Sequence, residues 1–378
     1  AGATLSAQAW GPCVRRFSAF APMAAGWFHS LLLRSDGRVA AFGRDDRGDG
    51  GFEVLSPPEG LEYVDAAAGL YHSVLLRSDG RAIACGGNSV GQCDVPELPD
   101  DVQYCAVSAS EYHTVLLRTD GQAVAFGSNY YGQCSVPFLM PGYEYVGVAA
   151  GVNHTVLLRN DGEAIAFGRK EDGRCDVPPL PPGLSYIAAA AGGGHTVLVR
   201  SDGAAVAFGD NREGACAVPR LPPGLRYQAA ASGGSHVVLL RSDGVAVAYG
   251  GNEAGQCDVP CPSSKAHYVA VAAGYRHTLL VRSDGAAEAI GWNLDGQCSV
   301  PPLPDAFWYV HRRPRPTGGG SPQLAALGPP GTRAVAVRGP AACGLVAGLA
   351  RGGTAAAADT LPSWWCTPTA GEGRAVQP

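Results

Sequence analysis

Seven histidines, His29, His72, His113, His154, His195, His236 and His277, recur at a spacing of 43 residues and then of 41. Imidazoles at regular spacing invite a metal-binding or acid–base reading. Metal ligands, however, must converge on one point, whereas copies of one position are spread by whatever symmetry the repeat builds. The same objection meets the cysteines at a second repeated position: Cys93, Cys134, Cys175, Cys216, Cys257 and Cys298. Equivalent sites on neighbouring units should exceed the roughly 7 Å Cα separation that a disulfide tolerates, so these cysteines read as small buried residues. Cys257 and Cys261 lack the second pair that a zinc site needs. A His/Asp/Cys triad would exist in every unit, yet a catalytic site is normally one of a kind. No Ser/His/Asp set or paired carboxylates stand out among the residues that break the repeat. The expectation is a protein that is not an enzyme and uses no metal and no cofactor.

The elements that must hold these residues read as β. Around each histidine the text recurs, as in Ala149-Ala150-Gly151-Val152-Asn153-His154-Thr155-Val156-Leu157-Leu158-Arg159-Asn160-Asp161-Gly162 followed by Ala164-Ile165-Ala166-Phe167-Gly168. Short apolar runs alternate with Gly, Asp, Asn and Pro every eight to twelve residues. The Ser-Asp-Gly at 35–37, 78–80, 201–203, 242–244 and 283–285 is a hairpin turn, its Asp-Gly supplying positive φ; Thr119 and Asn160 replace Ser in the other two copies. Four strands per unit are expected: A from Tyr-Val into Ala-Ala-Gly, B from His into Leu-Leu-Arg, C over Ala-Val-Ala-Phe-Gly, and a short D over Gln-Cys-x-Val. A unit of about 41 residues cannot bury its own face, so the units must stack on one another. Seven four-stranded sheets arranged radially make a seven-bladed β-propeller, an all-β fold that protects its edges by closing on itself.

We expect a propeller over residues 20–310, an N-terminal extension over 1–19, and a low-complexity, disordered tail over 311–378, rich in Gly, Ala and Pro. Closure is open at this level. Phe20-Ala21-Pro22-Met23 stands where strand A of the first unit belongs, but Trp308-Tyr309-Val310 begins an eighth copy of strand A.

The motif Gly-x-x-His-[Ser/Thr] followed by Gly-x-Asn-x-x-Gly-Gln resembles the repeat of the regulator of chromosome condensation family. The compact spacing and the Gln-Cys-x-Val-Pro tail look more like its short-repeat branch, which includes β-lactamase inhibitor protein II. The resemblance implies a propeller that binds protein partners. It also leaves open a recognition module of a larger HECT-type ubiquitin ligase or guanine-nucleotide exchange factor. A propeller enzyme or small-ligand binder is the rival reading.

Charged residues make up 16% of the chain and the net charge is −5, which argues against nucleic acid and anionic membrane as partners. No apolar run reaches the 18 or so residues of a membrane helix, and no secretory-signal pattern follows Ala1. The many thiols suggest an intracellular setting, cytoplasm or nucleus. Antiparallel order places the A–B and C–D turns on one face and the near-invariant Ser-Asp-Gly turns on the other. On the first face the copies differ. Units 7, 1, 2 and 3 supply Tyr275, Arg276, Trp292, Trp27, Phe28, Tyr71, Tyr112, Tyr130 and Tyr131, while units 4 to 6 are charged or glycine-rich there. This aromatic arc with Arg276 has the composition of a protein-binding hot spot and is the expected partner site.

Overall fold

The structure, a computed structural model, describes residues 23–44, 56–261, 266–303 and 307–309. The N-terminal extension, Phe20 and the tail over 311–378 lie outside the described residues.

Each repeat folds into one antiparallel sheet whose strands follow chain order, and the described residues form seven such sheets. In the fourth blade the inner strand is Tyr145–Ala150, the middle strand His154–Arg159 and the outer strand Ala164–Gly168. The middle strand is buried along almost its whole length, because both of its faces pack against neighbouring blades. That is why it reads as an uninterrupted apolar run (Val156-Leu157-Leu158) rather than an alternating one. Hydrophobic clusters therefore span pairs of blades: Val156 and Leu158 of blade 4 pack with Tyr186 and Leu198 of blade 5. The hairpin between middle and outer strands closes with Gly162 N donating to Arg159 O at 2.9 Å, and Gly162 takes φ of 91°, a left-handed conformation that glycine adopts without steric cost.

The expected fourth strand is not a strand. Each sheet has three, and the Gln-Cys segment is a loop built on its own side chains. In blade 3, Asn129 Oδ1 accepts from Cys134 N at 2.8 Å and Gln133 Oε1 accepts from Tyr131 N at 2.9 Å. Side-chain amides thus satisfy backbone donors that a strand would direct to its neighbour. The Asn-x-x-Gly-Gln-Cys text encodes this loop, not a β edge.

The structure also resolves the closure. In blades 2 to 7 the tyrosine that opens the inner strand pairs with the arginine ending the middle strand, as Tyr145 does with Arg159. In blade 1 that arginine, Arg34, pairs with Tyr309. Ser35 N donates to Trp308 O at 3.0 Å, and the Tyr309 hydroxyl donates to Pro301 O at 2.9 Å, as Tyr145 does to Pro137 O. Tyr309 is buried with Met23 and Leu279. Trp308-Tyr309 therefore begins the inner strand that Met23–Ala25 continues, and blade 1 is completed by segments from before the first repeat's histidine and after the seventh repeat.

Candidate functional site

The repeated histidines hold one blade to the next. His72 Nε2 lies 3.0 Å from Thr114 Oγ1, and Thr114 Oγ1 donates to Gln92 O at 2.8 Å. The hydroxyl has one proton and gives it to the carbonyl, so it accepts from the imidazole, which must carry its proton on Nε2. The same relay runs through His113, Thr155 and Gln133, and across the closure through His277, Ser30 and Gln297. Blade 6 breaks it: Val237 replaces the hydroxyl residue, and His195 instead reaches Ser232 Oγ at 3.3 Å. Burial pushes these imidazoles far below their ordinary range, to about 4 for His72 and His195 and about 3 for His113, His236 and His277. They are neutral crosslinks.

The repeated cysteines are likewise structural. Cys134 Sγ donates to Ser128 O at 3.2 Å and Cys298 Sγ to Trp292 O at 3.3 Å, and burial raises their thiols to about 11 and about 12. Such thiols are protonated and inert at neutral pH. No helix of the described residues is long and apolar enough to cross a membrane.

On the turn face, four rings from three blades form a chain. Trp27 and Tyr275 stack with centroids 3.8 Å apart and planes 10° from parallel. Trp27 meets Phe28 edge-on at 6.3 Å, and Phe28 stacks on Tyr71 at 5.5 Å. Arg276 lies 5.7 Å from the Tyr275 centroid and pairs with Glu253 at 3.4 Å. Tyr130 and Tyr131 form a separate T-shaped pair at 4.9 Å, Tyr130 being 85% exposed. Arg169 sits 5.3 Å over Tyr131. Tyr112 is partly exposed, its hydroxyl held above its ordinary range by burial and by Glu111 and Tyr71 nearby. Trp292 is partly exposed, and its backbone N–H donates to Arg276 O at 2.8 Å. The structure thus joins Tyr275, Trp27, Phe28 and Tyr71 into one series of ring contacts, two stacked pairs meeting edge-on, with Arg276 on its flank. Tyr112, Tyr130, Tyr131 and Trp292 stand outside that series.

The charged blades 4 and 5 contribute something the aromatic pattern does not reveal. Beside the Trp27–Tyr275 stack lies a depression of about 440 Å³, walled by Arg169, Asp172 and Arg174 of blade 4 and by Asp210 and Arg212 of blade 5. Its floor is made by glycines. A Cβ on Gly193 would come within 2.3 Å of Gly234 O, so side chains are excluded there and the surface dips. Arg174 occupies the position that is Gln in blades 2, 3, 6 and 7, and this substitution is the sequence signal for the depression.

Seven radial sheets, joined by histidine–hydroxyl contacts and carrying repeat-breaking aromatic and charged residues on the turn face, define a β-propeller scaffold. Three successive stretches of the chain, residues 23–49, 63–92 and 104–133, match the regulator of chromosome condensation (RCC1) repeat. No curated protein matches the sequence. Among solved structures, Prp20p from Saccharomyces cerevisiae is similar at 17% identity and TM-score 0.59, covering 81% of this chain and 88% of that one. Human WBSCR16 is similar at 19% identity and TM-score 0.57, over 68% of this chain and 85% of that one. The CRINKLY WD40 ectodomain of the Arabidopsis thaliana receptor kinase ACR4 is similar at 18% identity and TM-score 0.56, over 73% and 97%. These likenesses establish the propeller fold.

Proposed function

We propose that this propeller is a non-catalytic recognition module that engages a protein partner through its A–B/C–D turn face. The observation that carries the reading is the Tyr275–Trp27–Phe28–Tyr71 series of ring contacts: partly exposed, pre-ordered by those contacts, and flanked by arginine. Rigid aromatics with a guanidinium alongside lose little entropy on binding and dominate interface energetics. Similar propellers have protein partners: Prp20p binds Gsp1p and histones, and yeast RCC1 (Prp20) forms a complex with Kap60. The residues present in every blade serve as scaffold, which leaves the variable face for function. Among the described residues no group of His, Cys, Asp or Glu is arranged to hold a metal ion.

The test is affinity capture from the native source with the wild type and with the Tyr112→Ala/Tyr131→Ala and Phe28→Ala/Tyr71→Ala pairs, each checked for an intact far-ultraviolet spectrum. A hot-spot pair is expected to cost about 2 kcal/mol or more, roughly a 30-fold loss of affinity. Undiminished capture by both folded variants would sink the reading.

A further inference from the structure

On the turn face acids come with bases beside them: Glu171 with Arg169, Asp172 with Arg174, Asp210 with Arg212, Glu253 with Arg276 and Asp295 with Arg44. Glu111, in the turn between the inner and middle strands of blade 3, does not. Among the described residues its carboxylate has no ion-pair partner and no hydrogen bond, yet it is only partly exposed, and burial raises it above its ordinary range. Glu213 also lacks an ion-pair partner, but it is fully in water. The other blades place Trp27, Leu70, Val152, Gly193, Gly234 and Tyr275 at the position of Glu111, so it is the charged member of that ring of turn tips. The turn of blade 2 abuts it, since a Cβ on Gly69 would meet Ser110 O at 2.3 Å. Tyr71 and Tyr112 hold equivalent positions in these two turns and are 37% and 36% exposed. Tyr71 is fixed by its stacking on Phe28, and the Tyr112 hydroxyl is raised by burial, then by Glu111 and Tyr71 beside it. The scaffold shows the same chemistry completed elsewhere: in blade 7, Glu288 accepts from the Tyr268 hydroxyl at 2.9 Å and from Arg282 Nη1 at 2.8 Å. Guanidinium groups of this chain also lie over tyrosine rings, Arg159 at 4.3 Å from the Tyr143 centroid and Arg169 at 5.3 Å from that of Tyr131. The turn-face cluster has the tyrosines and the carboxylate without the arginine.

We infer that Glu111, with Tyr71 and Tyr112, receives an arginine side chain of the partner protein, its guanidinium paired with the carboxylate and laid along a tyrosine ring. The inference rests on the proposed protein-recognition role of this face. A carboxylate drawn partly out of water with no counter-charge is costly to the free protein, and an arriving cation relieves that cost. No resident base has to be displaced, in contrast to the paired acids of blades 4 and 5. A guanidinium matches a carboxylate with two parallel hydrogen bonds, stacks on an aromatic face and is weakly hydrated, whereas an ammonium is a compact, strongly hydrated charge. An acidic side chain arriving here would meet the unneutralised charge of Glu111.

A display library of disulfide-constrained six-residue loops, selected on the intact protein, supplies the probe. Selected loops should be enriched in arginine about fivefold or more over the library. The leading loop should lose about tenfold in affinity on Glu111→Gln, and about as much when its arginine is replaced by citrulline, which keeps the shape and removes the charge. Both changes together should cost little more than either alone, because they remove one contact. Glu111 has no partner to lose within the fold, so Glu111→Gln should melt no lower than the wild type; a lower melting temperature would make Glu111 a structural residue and overturn the inference. Acidic or neutral loops, no selection, a lysine that serves as well as the arginine, or a leading loop indifferent to Glu111→Gln would also overturn it. A loop lost on Trp27→Ala but untouched by Glu111→Gln would overturn it while leaving the recognition role standing.

Discussion

Acid should unfold this propeller well above the pH at which ordinary carboxylates are protonated. Each blade-linking imidazole is buried and neutral, so its folded pKa lies below its unfolded value. Such a group stabilises fully above the unfolded pKa and loses that contribution as pH falls toward the folded one. With an unfolded value near 6.5 and folded values of about 3 to about 4, each of His72, His113, His195, His236 and His277 costs about 2 kcal/mol on going from about pH 7.5 to about pH 5. The five together cost about 10 kcal/mol. Asp65 works in the opposite sense. It is buried in the inner strand of blade 2 and accepts from Ala66 N at 2.9 Å, and burial raises it to about 7. A raised carboxyl costs stability as pH climbs from its unfolded to its folded value, so the same acid step returns about 3 kcal/mol. The net loss of about 7 kcal/mol is comparable to the whole stability of a typical domain. Urea unfolding followed by circular dichroism at several pH values gives the slope, and near pH 5.5 unfolding should take up about three to four protons. A midpoint that stays flat between about pH 7.5 and pH 5, or a proton uptake below one, would refute the neutral-histidine account.

Further outcomes follow from the same contacts. Val237→Thr restores the missing hydroxyl between His195 and Ala215 O and should raise stability by about 0.5–1.5 kcal/mol, whereas Thr155→Val, which strands His113 and Gln133 O, should cost about 1–3 kcal/mol; the difference in urea midpoint decides. Tyr309→Ala removes the closing residue of blade 1 and should cost about 3–5 kcal/mol, with faster amide exchange at Met23–Ala25 than in the inner strand of blade 4. Equal exchange in both strands would contradict closure through Tyr309.

The fold was legible because its determinants are local and repeated. Asp-Gly marks each hairpin, and the apolar middle strand bounded by His and Arg recurs in every copy, so the period alone identifies stacked blades. Two features escaped because they depend on where a side chain points. The Gln-Cys segment has strand-like composition, yet Asn129 and Gln133 fold back onto its own backbone donors. Tyr309 meets Arg34 across the full span of the seven repeats, and Phe20 and Tyr309 each stand where a strand-opening Tyr belongs. On the site, aromatic enrichment led to Trp27, Phe28, Tyr71, Tyr112, Tyr130, Tyr131, Tyr275 and Trp292 with Arg276; ring contacts join Tyr275, Trp27, Phe28 and Tyr71, and the other four aromatics lie outside that series. Composition could not show that glycines in blades 5 and 6 open a depression, or that Arg174 lies buried beneath it. Departure from the repeat at that single position was the available signal.

The central claim, that one face recognises a protein partner, is tested most directly by photocrosslinking. A benzophenone amino acid placed at Tyr131 on the turn face, and separately at Asp120 or Asp161 on the opposite rim, would be irradiated in extract from the native source. The account predicts a discrete protein adduct from position 131 and none from positions 120 and 161. Adducts of equal yield from both rims, or from the opposite rim alone, would contradict it.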